Sequence, residues 1–161
     1  MRRVSKFGLV ITAFALMCSI SACSKSDTQE AHKTAEEYKE DLTAIQDEIE
    51  AKNEKTRTVD LEDAEVLNTY CEDMKSLYQQ MIGLEPSEGA EDAQQRITDG
   101  AQKMIEYLDG LPAYMALEDE ESDEAVELRL ELLDLYSGAL AAIAEGTVSI
   151  DQIATEESVD N

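Results

Sequence analysis

The stretch AEVLNTYCEDMKSLYQQMIGLEP, residues 64–86, decides the fold class. Ala64, Leu67, Cys71, Met74, Tyr78 and Met81 recur at alternating intervals of three and four, which gathers them on one side of an α-helix. Val66, Tyr70 and Leu77 widen that stripe, and the polar residues fall on the other side. The end of the helix is marked. Gly83 offers a residue able to take the left-handed C′ conformation, Leu84 follows as a hydrophobic C″, and Pro86 blocks continuation. Upstream, Asp60 is the expected N-cap, with Glu62 and Asp63 in the first turn, where the helix dipole favours negative charge.

The same spacing runs outward in both directions. Ala31, Ala35, Tyr38, Leu42, Ile45 and Ile49 form the apolar seam of a first helix ending at Lys52, and residues 53–58 read as a turn. Downstream, Ser87 is the expected cap of a third helix carrying Ile97, Ala101, Met104, Leu108, Leu111 and Met115. Pro112 lies within that pattern, so the helix either ends near Gly110 or kinks there and resumes through Leu117. Ser122 is the natural cap of a fourth helix, with Asp123 and Glu124 in its first turn. There Glu124, Glu127, Glu131 and Asp134 leave only a narrow polar stripe among many leucines, a pattern that places this helix deepest. Gly146 is expected to stop it, followed by a short helical piece over residues 149–155 and a frayed end at 156–161. The only β-like run is residues 147–150. Short connections make successive helices antiparallel neighbours, so residues 30–155 are expected to form an all-α, up-down antiparallel four-helix bundle.

Composition agrees. The 161 residues include seven Gly, two Pro and no Trp, and the 37 acids against 13 bases leave a net charge of −24. A chain this acidic lacks the basic patch with which nucleic-acid binders neutralise phosphates, so no nucleic acid is expected as partner.

The N-terminus carries a different message. Arg2, Arg3 and Lys6 precede an apolar run from Phe7 to Ile20, too short for a comfortable membrane span, and small residues follow. This is the layout of a secretory signal. Its last four residues, Ile20-Ser21-Ala22-Cys23, resemble the lipobox of bacterial lipoproteins. The resemblance covers residues 1–23 alone. It implies removal of residues 1–22 and a mature N-terminal Cys23 whose thiol carries diacylglycerol, with palmitate-type acyl chains. It also implies export and anchoring to a bacterial cell membrane or outer membrane on the extracytoplasmic side. Residues 23–29 would then be the lipidated Cys and a short polar tether. Loss of Arg2, Arg3 and Lys6 with no acid takes the net charge from −24 to −27. A body so acidic is repelled by anionic headgroups and projects outward.

Chemistry-bearing patterns are few. Cys18 leaves with the signal and Cys23 is acylated, so Cys71 is the single remaining thiol, no internal disulfide is available, and its place on an apolar stripe reads as packing. His32 is the one imidazole, and no Glu-x-x-His pair, zinc-ligand cluster or haem-attachment motif occurs. No catalytic residues, metal ligands or cofactors are therefore assigned, and an enzyme is not expected. Glu118, Asp119, Glu120, Glu121, Asp123 and Glu124 form an acidic patch suited to a basic partner or to weak cation binding, though without the Gly and alternating Asp order of an EF-hand loop. Met74, Met81, Met104 and Met115 read as core filler. Tyr70, Tyr78, Tyr107, Tyr114 and Tyr136 are candidates to line a groove between helices two, three and four.

Charge is unevenly distributed. Residues 24–58 carry 6 basic and 10 acidic side chains, whereas residues 59–161 carry 4 and 27. The expectation that follows is a non-enzymatic protein-interaction module showing an acidic face to a basic envelope protein or peptide. The alternative is a small-ligand or cation-binding lipoprotein using an interhelical groove.

Overall fold

The computed structural model describes residues 33–119 and 121–160. The signal, Cys23, the tether, Ala31, His32, Glu120 and Asn161 lie outside the described residues. Four helices follow one another: α1 (Ala35–Thr56), α2 (Ala64–Ile82), α3 (Glu91–Met115) and α4 (Asp123–Asp160). Each packs on the next through a short loop, and α4 closes the ring against α1, giving the expected all-α bundle. Among the described residues there is no strand, and residues 147–150 are helical.

The helix starts follow from local side-chain chemistry. Thr34 and Glu37 form a capping box: the Thr34 hydroxyl accepts from the Glu37 N–H at 3.2 Å, and the Glu37 carboxylate accepts from the Thr34 N–H at 3.0 Å. α1 therefore begins at Ala35 and runs past Lys52 to Thr56, so residues 53–56, expected as a turn, belong to the helix. Asp63, not Asp60, caps α2, accepting from the N–H groups of Glu65 (2.9 Å) and Val66 (3.2 Å). Asp60 instead accepts from Glu62 N–H in the preceding turn, which lets Leu61 reach the interior at 3% exposure.

The end of α2 differs from its expected form. Gly83 is right-handed (φ −80°), and the left-handed glycine is Gly89 (φ 82°), in the loop before α3. A left-handed cap is unnecessary because Gln94 of α3 reaches across, its Nε2 donating to the Met81 carbonyl at 3.0 Å and the Ile82 carbonyl at 3.4 Å. Ser87 does not cap α3. It is buried in the loop, its backbone carbonyl accepts from Ala90 N–H, and α3 starts at Glu91 without a side-chain cap. α3 passes through Pro112 and ends at Met115, with Leu111 and Tyr114 buried on either side of the proline.

α4 departs furthest from expectation. Ser122 caps it as anticipated, its Oγ accepting from Ala125 N–H at 3.2 Å. Gly146, however, does not stop it, and the helix continues to Asp160 in place of a short piece and a frayed end. Gly146 is there because α3 comes too close for a side chain: a Cβ would lie 2.8 Å from the Ala93 carbonyl oxygen and 2.6 Å from Ile97 Cγ1. Gly100 of α3 makes the reciprocal approach, its Cβ position 2.8 Å from the Ala139 carbonyl oxygen. The extended end of α4 lies along α1. Gln46 donates to Thr147 (3.2 Å), Lys39 pairs with Asp151 (3.0 Å), and Glu157 accepts from Ala35 N–H (3.2 Å). Ile150 is fully buried and Ala154 nearly so, which supplies the apolar reason for the extension.

Nor is α4 the deepest helix. Ten of the 25 residues of α3 are buried, whereas α4 leaves Leu130 60% and Leu133 38% exposed. The core joins Tyr38, Leu42 and Ile49 of α1, Leu67 to Met81 of α2, Ile97 to Tyr114 of α3 and Leu132, Ile143 and Ile150 of α4. Among the described residues this core lies within one compact unit, Lys33–Asn161. No helix among the described residues is long and apolar enough to cross a membrane.

Candidate functional site

The acidic patch sits where α3 hands over to α4. Glu118, Asp119 and Glu121 occupy the loop and Asp123 and Glu124 the first turn of α4, all of them exposed; Glu120 lies outside the described residues. Asp119 is committed to the turn, its carboxylate accepting from Glu121 N–H (3.0 Å) and its carbonyl from the Ser122 hydroxyl (2.9 Å). The carboxylates at the start of α4 face its positive dipole end. Among the described residues no three His, Cys, Asp or Glu side chains converge as metal ligands would.

The patch belongs to a larger acidic surface. Every described acid from Asp60 to Glu156 is exposed except Asp151, which is half-buried. The region has four cations, Lys75, Arg96, Lys103 and Arg129. Lys75 pairs with Glu72 and Asp109 at 2.7 Å each, tying α2 to α3, and those carboxylates hold its pKa above the ordinary lysine range. The cations in and just before α1 are largely used in ion pairs as well: Lys33, ahead of the helix, with Asp41, and within it Lys39 with Asp151 and Lys52 with Asp73 at 2.6 Å. The uncompensated charge therefore lies on α2, α3 and α4.

The five tyrosines are mostly interior. Tyr78, Tyr107 and Tyr114 are buried, and Tyr70 and Tyr136 half-buried. Tyr107 and Tyr136 pack ring on ring with centroids 5.2 Å apart, and Tyr70 and Tyr78 lie close enough to feel both phenols. Burial raises the pKa of Tyr70, Tyr78, Tyr107 and Tyr136 above the usual phenol value. Tyr70 also donates to Asn53 Oδ1 at 2.8 Å, joining α2 to α1. Met74, Met81 and Met104 are buried in the same core, as is the free Cys71, whose thiol is pushed up to about 11 by burial. A thiol held neutral in this way is a poor nucleophile at physiological pH.

One polar network inside the bundle had no distinct sign in the sequence. Tyr38 of α1, fully buried, donates its hydroxyl to Gln94 Oε1, while Gln94 Nε2 closes the end of α2. Burial pushes the Tyr38 phenol up to about 12. Tyr38 and Gln94 thereby fasten three helices through one side chain. A shallow depression of about 380 Å³ lies between the end of α1 and the start of α2, lined by Lys52, Lys55, Val59, Val66, Tyr70 and Asp73 among others. Lys52 and Asp73 already neutralise each other across it.

No family model matches the chain, and no curated protein or solved structure is similar to it.

Proposed function

We propose that this chain is an exported, lipid-anchored envelope protein whose acidic helical bundle is a non-enzymatic interaction module for a basic envelope protein or peptide. The observation that carries the reading is the charge: 27 acids against 4 bases from residue 59 onward, with the described carboxylates at the surface and only Asp151 and Glu157 half-buried. A surface of one sign raises the local concentration of oppositely charged partners and speeds their encounter, with a steep dependence on salt. The Ile20-Ser21-Ala22-Cys23 box supports the anchor. Burial of Tyr78, Tyr107 and Tyr114 favours packing over a ligand groove as the role of the tyrosines.

Two experiments test the two halves. Expressed in a bacterium, the full chain is expected in the membrane fraction with the mass of an acylated Cys23, and Cys23→Ser is expected to abolish both; an unacylated wild-type chain would end the anchoring proposal. For the interaction, the bundle from Ser24 onward is titrated with a lysine homopeptide. Binding at low salt that weakens steadily as salt rises is the expected result, and no binding at low salt would contradict the acidic-face reading.

A further inference from the structure

α4 carries two rows side by side in its first half. Val126, Leu130 and Leu133 follow one another at intervals of four and three, and Asp123, Glu127, Glu131 and Asp134 do the same one helical position further round. Leu130 is 60% and Leu133 38% exposed, Val126 is half-buried, and all four carboxylates are exposed. The row is turned away from the buried stripe of α4, which carries Ala125, Leu132 and Ala139. α1 has 22 residues and α4 has 38, and the contacts Ala35–Glu157 and Gln46–Thr147 set α1 along the C-terminal part of α4. We propose that this face docks a cationic amphipathic helix of a partner protein or peptide, its apolar side on Val126, Leu130 and Leu133 and its lysines or arginines on the carboxylate row. The inference rests on the acidic-module reading and adds the surface and the partner's shape.

Charge complementarity selects the occupant. A second copy of this chain would bring a like row of carboxylates against the first, a costly arrangement. An anionic membrane meets the same repulsion from the carboxylate row. An amphipathic helix with a basic side satisfies both rows at once.

The test compares two synthetic peptides of equal charge, one a leucine–lysine amphipathic helix and one a lysine–serine chain, on the bundle from Ser24 onward. The amphipathic peptide is expected to bind about tenfold more tightly or better, a step of roughly 1.4 kcal/mol, and to shift the amide resonances of residues 126–134. L130Q/L133Q, at exposed positions where Gln is a good helix former, is expected to erase that difference while leaving the melting temperature and the lysine–serine affinity unchanged. An unchanged preference in the variant would overturn the docking face and leave the electrostatic reading standing. Failure of both peptides at low salt would remove both readings. Burial of Leu130 by dimerisation at micromolar concentration, or by anionic vesicles, would also overturn the proposal.

Discussion

Gly100, Gly138 and Gly146 look alike in sequence and are opposite in the structure. The usual effect of Gly→Ala inside a helix is a gain of about 0.5–1 kcal/mol, from the lower entropy of the unfolded chain. At Gly138 the new methyl would meet only the flexible end of Lys103, at 3.2 Å, so G138A is expected to stabilise by that amount. At Gly100 and Gly146 it would strike backbone carbonyls of the facing helix at 2.8 Å. G100A and G146A are expected to destabilise by about 1–3 kcal/mol, the cost of forcing packed helices apart. Denaturant titrations of the three variants check the signs, and a stabilising G146A would contradict the 2.8 Å approach of α3 to this position of α4. This is also why Gly146 misleads in sequence: a glycine that ends a helix and one that admits a neighbouring helix carry the same letter, and only the partner's position separates them. Gln94 is the companion case. Nothing in the pattern around it distinguishes it from an exposed residue, yet it is 7% exposed and serves both Tyr38 and the last carbonyls of α2. Q94L would take the acceptor from the buried Tyr38 hydroxyl and one donor from the last carbonyls of α2, and is expected to cost about 1–3 kcal/mol. The pH dependence follows from the same burial. Tyr38 titrates at about 12 against an ordinary 10.0, because the folded protein disfavours the phenolate. A folded pKa raised in this way adds stability that is whole below pH 10 and declines between pH 10 and 12. Tyr70, Tyr78 and Tyr107 shift in the same direction. The melting temperature is therefore expected to hold level up to about pH 9–10 and fall above it, and a level profile through pH 11 would contradict the burial of these phenols.

At the scale of elements, the existence and order of the four helices were legible because their apolar residues keep intervals of three and four over several turns. Helix ends were less so. Thr34 and Glu37 stand at the spacing of a capping box, a readable sign, whereas the choice of Asp63 over Asp60 depends on Leu61 turning inward. The last third of α4 was the main surprise. Residues 147–160 are polar enough to pass for a terminal tail, and their helix is held by α1 through Ile150, Ala154, Asp151 and Glu157. I150A removes a fully buried side chain at that seam and is expected to cost about 2–5 kcal/mol. Amide exchange localises the effect: in the variant, residues 147–160 and the first turns of α1 should lose protection together. Unchanged exchange there would mean that the end of α4 does not depend on its contact with α1.

On the whole molecule, the distribution of charge was visible in the sequence, and the structure adds where it falls. The cations in and just before α1 mostly pair with neighbouring carboxylates, while α2, α3 and α4 turn an unbalanced acidic surface outward. The open leucine row on α4 was not legible, since a helix apolar around so much of its circumference does not show in sequence which of its leucines stay uncovered. The tyrosines were legible as a group but not as interior, because their burial depends on how α2, α3 and α4 meet. The central claim is that this surface recruits a basic partner in the envelope. Its most direct test immobilises the bundle from Ser24 onward and exposes it to envelope extract at low and at high salt. A discrete basic protein or peptide, retained at low salt, released at high salt and lost on neutralising Glu127, Glu131 and Asp134 to their amides, is the predicted result. Retention of nothing at low salt, or retention indifferent to both salt and those substitutions, would contradict it.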